Sequence, residues 1–419
     1  MSDSSTHVVI VGAGHAGGSV AALLRQYGWR GPITLIGAEP VPPYQRPPLS
    51  KAWLKREADA AGLALRVATF YPANTITLRL ATHATAIDRE NRSVTLGSGE
   101  QLRYDHLILA TGARPRMLPI PGHDLAGVLA LRSVADADAL QAALTRGSRL
   151  VVIGGGYIGL EAAASARALG VAVTVIERES RVLARVASQP LSEFFARAHA
   201  ANDVRILCGA SIAAIEGEAG RVAGVRLADG TSLPCDTVLV GVGAAPDDSL
   251  ARAAGLACDD GVLVDLAART SDRHIHAIGD CTRRPLPLYA CSGRLESVPN
   301  ALEQAKQAAA DLCGRPPPAA EVPWFWSDQY AIRLQIAGLP LGVDDVVLRG
   351  DPAGGKFAVF HLAADGTVQA VEAVNSPADF IGGRLMIARR QRTTAAALRL
   401  PNPLPLAGYG GPITANRFP

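Results

Sequence analysis

The chain has 419 residues, too many for a single hydrophobic core, so two or three domains are expected. With 48% hydrophobic and 19% charged residues and a net charge of +3, it reads as an ordinary globular protein, not a basic nucleic-acid binder or an anionic-membrane binder. No apolar run reaches the roughly 18 residues of a membrane span, and the opening MSDSSTH has no basic leader, so neither a membrane segment nor a signal peptide is expected. The cysteines (Cys208, Cys235, Cys258, Cys281, Cys291 and Cys313) are scattered without a CxxC pair. That usage fits a reducing cytoplasm and offers no metal cage, so any redox chemistry needs an organic cofactor.

Along the chain, HVVIVGAG (7–14) reads as a buried strand ending in glycines, followed by an Ala/Leu helix near 16–27 and a strand at 33–39. This is a βαβ unit. PVPPYQRPPLSK (40–51) is too rich in proline for helix or strand until its end, and a rigid loop beside such a unit is placed to line a site. Short strands follow, including the run YDHLILATGARPR at 104–116. A second strand–glycine–helix unit starts at RLVVIGGGYIGLEAAASARALG (149–170), about 140 residues after the first, with its own second strand at 171–178. TVLVGVGAAPD (237–247) parallels the earlier strand that ends in Ala110, Thr111 and Gly112. SVPNALEQAKQAA (297–309) has Pro299 and Asn300 where a helix begins. GRPPPAAEVP (314–323) reads as a linker into a third region, with β-type patterns and then a helix bearing Arg384, Arg389 and Arg390. Trp324 and Trp326 alternate with Phe325, so in a strand both indoles share one face. The segment from about Pro401 reads as a poorly ordered tail.

The fold class expected from this pattern is α/β, with two Rossmann-like dinucleotide-binding domains and a smaller α+β C-terminal domain. The chemistry lies in the strand–helix turns. Gly12-x-Gly14-x-x-Gly17 supplies a tight turn, close approach of backbone to a pyrophosphate, and close helix–strand packing. Glu39, at the end of the next strand, is placed to accept from ribose hydroxyls. Gly154-x-Gly156-x-x-Gly159 repeats the arrangement with Glu177, an acid that accepts from the ribose 2′-OH of NADH and repels the extra phosphate of NADPH. Arg178 is adjacent and blunts that preference. HAIGDCTR places Gly279-Asp280 after a short strand, where a carboxylate can take a ribityl hydroxyl; this assigns FAD to the first unit. A Gly-Asp turn or helix cap is the plainer reading of that pair taken alone.

Together, GAGHAG, QRPPLSK, LATGARP, VVIGGGYIGLE, HAIGDC, ESVPNALEQA and PWFWSDQY resemble the FAD-dependent, NADH-using ferredoxin reductases of bacterial oxygenase systems, over about residues 7 to 380. The resemblance implies a glutathione-reductase-like architecture. It divides the chain into a discontinuous FAD domain (1–118 and 248–323), an NADH domain (119–247), a C-terminal domain (324–400) and the tail (401–419). It further implies FAD contacts at Ala16, Arg46, Lys51, Ala84, Arg132, Asp280, Val298 and Trp326, those of Ala84 and Val298 mainly through backbone. NADH contacts fall at Gly155, Tyr157, Ile158, Glu177 and Arg185, with Gly243 beside the nicotinamide. Lys51 and Glu161 are expected to pair where nicotinamide meets flavin. Ala38 departs from the pattern, standing where some relatives have a second acid and leaving Glu39 alone on the ribose.

The implied partner is a [2Fe–2S] ferredoxin, usually acidic, which points to basic docking residues; Lys306 and Arg333 are the candidates. No nucleic acid or membrane partner is expected. Disulfide reductases share the architecture but need a cysteine pair beside the flavin, and residues 40–51 contain none. A hydroxylating monooxygenase is disfavoured by the intact second fingerprint. An NADH-responsive redox-sensing interaction protein and a reductase with a rubredoxin-type acceptor remain as rivals.

Overall fold

The computed structural model describes residues 5–400 and Leu404. Contacts divide the chain into two compact units, one holding the chain up to Glu321 together with Ser327–Ala331, the other holding Val322–Trp326 and the chain from Ile332.

The first unit is built around two parallel five-stranded sheets of matching order. In one, Val8–Val11 lies between Ile33–Ile36 and His106–Leu109, with Ile76–Arg79 and Ile275–Ala277 at the edges. In the other, Arg149–Ile153 lies between Ala172–Glu177 and Thr237–Val240, flanked by Val204–Cys208 and Val128–Leu129. The central strands VVIV and LVVI are buried on both faces, which is why they read as continuous apolar runs and not as alternation. Each passes directly into a helix, His15–Gln26 or Tyr157–Ala168, and returns in parallel register, Val8 opposite Ile33 and Arg149 opposite Ala172. Both sheets therefore have the Rossmann-like order expected from sequence.

The first strand stops at Val11, not at residue 14, because Gly12 adopts a φ of +113° that leaves the extended region. The segment 40–51 is a loop closed by one 3₁₀ turn, Pro47–Ser50. The helix expected at 297–309 runs Val298–Leu312, capped by the Ser297 hydroxyl accepting from the Asn300 N–H. It packs its alanines against the His15–Gln26 helix, within a core that also contains Val8, Ile10, Leu24 and Leu35.

The second unit is a five-stranded sheet with the helix Pro377–Ala388 packed on the strand Val368–Val374. Arg389 and Arg390 fall just past the end of that helix, not within it. Trp324 and Trp326 share a face as their alternation requires, with ring centroids 5.6 Å apart. The tail expected at 401–419 lies outside the described residues, Leu404 apart. Among the described residues no helix is long and apolar enough to cross a membrane, and no cluster of metal-binding side chains occurs.

Candidate active site

The glycines of each strand–helix turn divide by what surrounds them. A Cβ on Gly12 would overlap the Ala110 carbonyl, and one on Gly17 would overlap the Gly12 carbonyl. Gly154 and Gly159 are confined in the same way by the Gly241 and Gly154 carbonyls. These four are glycine because the chain itself leaves no room. The middle glycines differ: a Cβ on Gly14 would meet only Arg46 Nη2, at 4.0 Å, and one on Gly156 would meet nothing within 4 Å. Each caps a helix with no side-chain cap and no acidic residue in the first turn, so no capping side chain covers the leading N–H groups. A pyrophosphate there would satisfy both the space and the donors.

Around the first turn a polar relay joins residues far apart in sequence. Glu39 accepts from Arg46 (2.7 Å) and from the Tyr44 hydroxyl (2.7 Å). Burial pushes that hydroxyl well above the ordinary tyrosine range, so it stays a donor. Arg46 also donates to the Arg132 carbonyl (2.5 Å), and the Arg132 guanidinium pairs with Asp280 at 2.8 Å. Gly279 meets the first helix here, since a Cβ on it would lie 3.1 Å from the Ala16 methyl. A Cβ on Gly112 would lie 3.2 Å from Arg132, and the Thr111 hydroxyl donates to the Asp247 carbonyl (2.6 Å). Two polar atoms in this neighbourhood, His15 Nδ1 and Arg132 Nε, are buried with no hydrogen-bond partner.

At the second turn Glu177 accepts from the backbone N–H of Gly155 (2.7 Å) and of Glu179 (2.8 Å). Arg178 is turned out to solvent and pairs with Glu179. Tyr157 donates to the Val186 carbonyl, Ile158 is exposed, and Arg185 lies 3.8 Å from where a Gly243 Cβ would sit. Just past the second fingerprint, Lys51 pairs with Glu161 at 2.5 Å. Glu161 lies on the second fingerprint helix but is only 3% exposed, so it is not a solvated carboxylate. Its Oε2 also accepts from Ser50 Oγ (2.6 Å), and its Oε1 from Ser327 Oγ (2.6 Å). No local pattern signals either serine, except that Ser50 adjoins Lys51.

Residues 6–305 match the family described as pyridine nucleotide-disulphide oxidoreductase, and residues 324–403 match the reductase C-terminal domain. The chain belongs to the pyridine nucleotide-disulphide oxidoreductase family. It is 50% identical to the probable ferredoxin reductase CtmF of Castellaniella defragrans, covering 93% of this chain and 95% of that one. With the rhodocoxin reductase of Rhodococcus erythropolis it shares 44% identity over 92% of this chain and 90% of the relative. The crystal structure of the covalent putidaredoxin reductase–putidaredoxin complex superposes with a TM-score of 0.93 at 43% identity, covering 95% of this chain and 97% of that one. The resemblance seen in the motifs is thus borne out, as is the two-dinucleotide architecture.

For a member of this oxidoreductase family the cofactor is FAD and the substrate a nicotinamide dinucleotide, and the residues present fit both. The open sides of Gly14 and Gly156 would admit the two pyrophosphates, and the unpartnered nitrogens of His15 and Arg132 would lie beside the first. Of the other expected contacts, Val298 starts its helix and Ala84 starts the strand Ala84–Asp88. Trp326 belongs to the second unit, beside Trp324. Lys306 is held by Glu321 at 3.0 Å, which weakens it as a docking charge; Arg333 is exposed.

One buried and three half-buried histidines give the oxidoreductase a pH limit. Desolvation holds His7, His15, His106 and His199 below the ordinary value of 6.5. With the folded pKa below the unfolded one, the unfolded chain binds more protons, so this stability is whole above 6.5 and is lost as pH falls through 6.5 toward the depressed values. The thermal midpoint should therefore fall from neutral to mildly acidic pH. An equal midpoint across that range would mean that these imidazoles are not buried neutral.

Proposed function

We propose that this protein is an NADH-dependent flavoprotein reductase that passes electrons from NADH to a [2Fe–2S] ferredoxin serving a P450 or ring-hydroxylating oxygenase. The observation that carries the reading is the occurrence of two open-fronted glycine turns together with the Lys51–Glu161 pair, whose carboxylate is buried on the second fingerprint helix. Bound FAD would accept hydride from NADH and release the two electrons singly to the acceptor protein. The chain's task is then to bind, orient and set charge.

In this reading residues 1–118 and 248–323 hold FAD, 119–247 hold NADH, and 324–400 form the C-terminal domain. Gly12, Gly14 and Gly17 admit the FAD pyrophosphate, Glu39 takes its ribose, and Arg46, Arg132 and Asp280 fix the relay against which it lies. Glu177 selects NADH, because its carboxylate is held in place by two backbone N–H groups and would repel a 2′-phosphate. Arg178 is drawn away by Glu179 and does little to oppose it. No cysteine stands in 40–51, and Cys281, beside Asp280, is buried with its thiol pushed above its ordinary pKa, so dithiol chemistry at the flavin is not supported. The free cysteines fit a cytoplasmic location. Lys306 and Arg333 remain the proposed docking charges.

The test is reduction of cytochrome c by the purified flavoprotein with NADH, with and without an added [2Fe–2S] ferredoxin. A large stimulation by ferredoxin is expected, with NADPH much the poorer donor. A rate that ferredoxin leaves unchanged would sink the reading and favour a sensing role or a different acceptor.

A further inference from the structure

The short segment Ser327–Ala331 belongs to the first unit although the chain on either side of it belongs to the second. Its side chains continue the contacts of Glu161 inward. Glu161 Oε1 is met by Ser327 Oγ (2.6 Å), Ser327 Oγ by Gln329 Nε2 (3.2 Å), Gln329 Oε1 by His199 Nε2 (2.8 Å), and His199 Nδ1 by the Tyr330 hydroxyl (3.0 Å). Ser327, Gln329 and His199 are each at most 1% exposed, so water does not substitute for these bonds.

The chemistry of the groups fixes the direction of the chain. Opposite the Lys51 ammonium, the Glu161 carboxylate only accepts, so the Ser327 hydroxyl donates to it and must itself accept from the Gln329 amide N–H. The amide oxygen then faces His199 Nε2, which must carry the ring proton. Nδ1 is left to accept from Tyr330. Burial keeps His199 neutral and pushes the Tyr330 hydroxyl up to about 12, as this order of donors requires. Tyr330 also holds a φ of +55° in the two-residue link between Trp324–Gln329 and Ile332–Gly338, where Asn or Gly is the unstrained choice.

We propose that Ser327, Gln329, His199 and Tyr330 are positioning residues for hydride transfer, a one-way donor chain that fixes the Glu161 carboxylate against Lys51. The inference rests on the reductase reading for its consequence, but not for the orientation of the chain. Donors aligned head to tail polarise one another, so the carboxylate at the end is held more firmly than by one hydroxyl alone. The chain spans the fingerprint helix, the helix Gln189–Ala200 and the hairpin tip, all within the first unit.

Two measurements test this. Nitrogen NMR of the FAD-loaded protein with labelled histidine should find His199 neutral and protonated at Nε2, and Gln329→Leu should shift it toward the Nδ1–H form. In stopped flow, Ser327→Ala should lower the limiting rate of flavin reduction about tenfold. The half-saturating NADH concentration and the FAD content should stay near wild type while the thermal midpoint falls, and Ser327→Thr should restore most of both the rate and the midpoint. In a Glu161→Gln background the same change should do nothing further, because Ser327 acts through that carboxylate. A proton on Nδ1 in the wild type, or rate losses that multiply in the double variant, would overturn the proposal. A wild type whose flavin NADH does not reduce would sink the reductase reading instead, leaving the NMR result to decide the chain's direction.

Discussion

Gly14→Val should give a folded protein that purifies without its yellow colour, whereas Gly12→Val should not fold stably at all. The two positions are two residues apart and differ in what the chain around them leaves open. At Gly12 a side chain meets both a φ of +113° and the Ala110 carbonyl, a combination expected to cost about 3 kcal/mol or more. At Gly14 the backbone is extended, with a φ of −83°, and the nearest atom to an added Cβ is 4.0 Å away. The fold therefore tolerates the valine, and the loss falls on whatever occupies the space in front of the helix. FAD affinity should drop about 100-fold. Gly156→Val is the matching experiment: its Cβ also enters open space, so the flavin should stay bound while NADH no longer saturates the reduction. Flavin absorbance relative to protein, thermal midpoint and NADH titration read out all three variants. A fully yellow Gly14→Val protein would place the pyrophosphate elsewhere.

That contrast also marks what the sequence could reveal. The two fingerprints were legible because their glycines, strands and acids lie within one βαβ unit, where spacing alone sets geometry. The continuous apolar runs announced strands buried on both faces, and only their ends were misplaced, since Gly12 turns the chain away from the sheet earlier than hydrophobicity implies. Glu39 and Arg46 were each expected on FAD, but their 2.7 Å pairing and the link through Arg132 to Asp280 depend on tertiary folding. The Glu161 site was least legible. Ser327 is 166 residues away and His199 reaches it through Gln329, so no local pattern signals either one. A serine in PWFWSDQY and a histidine on an amphipathic helix carry no period or motif that distinguishes them from packing residues.

Lys51→Met and Glu161→Gln should each slow flavin reduction by NADH about 100-fold while leaving FAD content near wild type. Glu161 sits on the second fingerprint helix and Lys51 closes the 40–51 loop, so in the reductase reading their charge and orientation matter more to transfer than to FAD retention. Their effects on stability should differ. Removing Lys51 leaves a carboxylate that is 3% exposed with only the Ser50 and Ser327 hydroxyls to compensate its charge, a change expected to cost about 3–5 kcal/mol. Removing the charge of Glu161 leaves an ammonium that is 19% exposed and still donates to the Pro47 carbonyl (3.1 Å), so the thermal midpoint should fall less. Because both changes break one interaction, the double variant should be little slower than either single one. Stopped-flow traces of the three variants decide the matter: a wild-type rate in either single variant removes the pair from hydride transfer. Rate losses that multiply would show two residues acting separately instead of one pair holding one geometry.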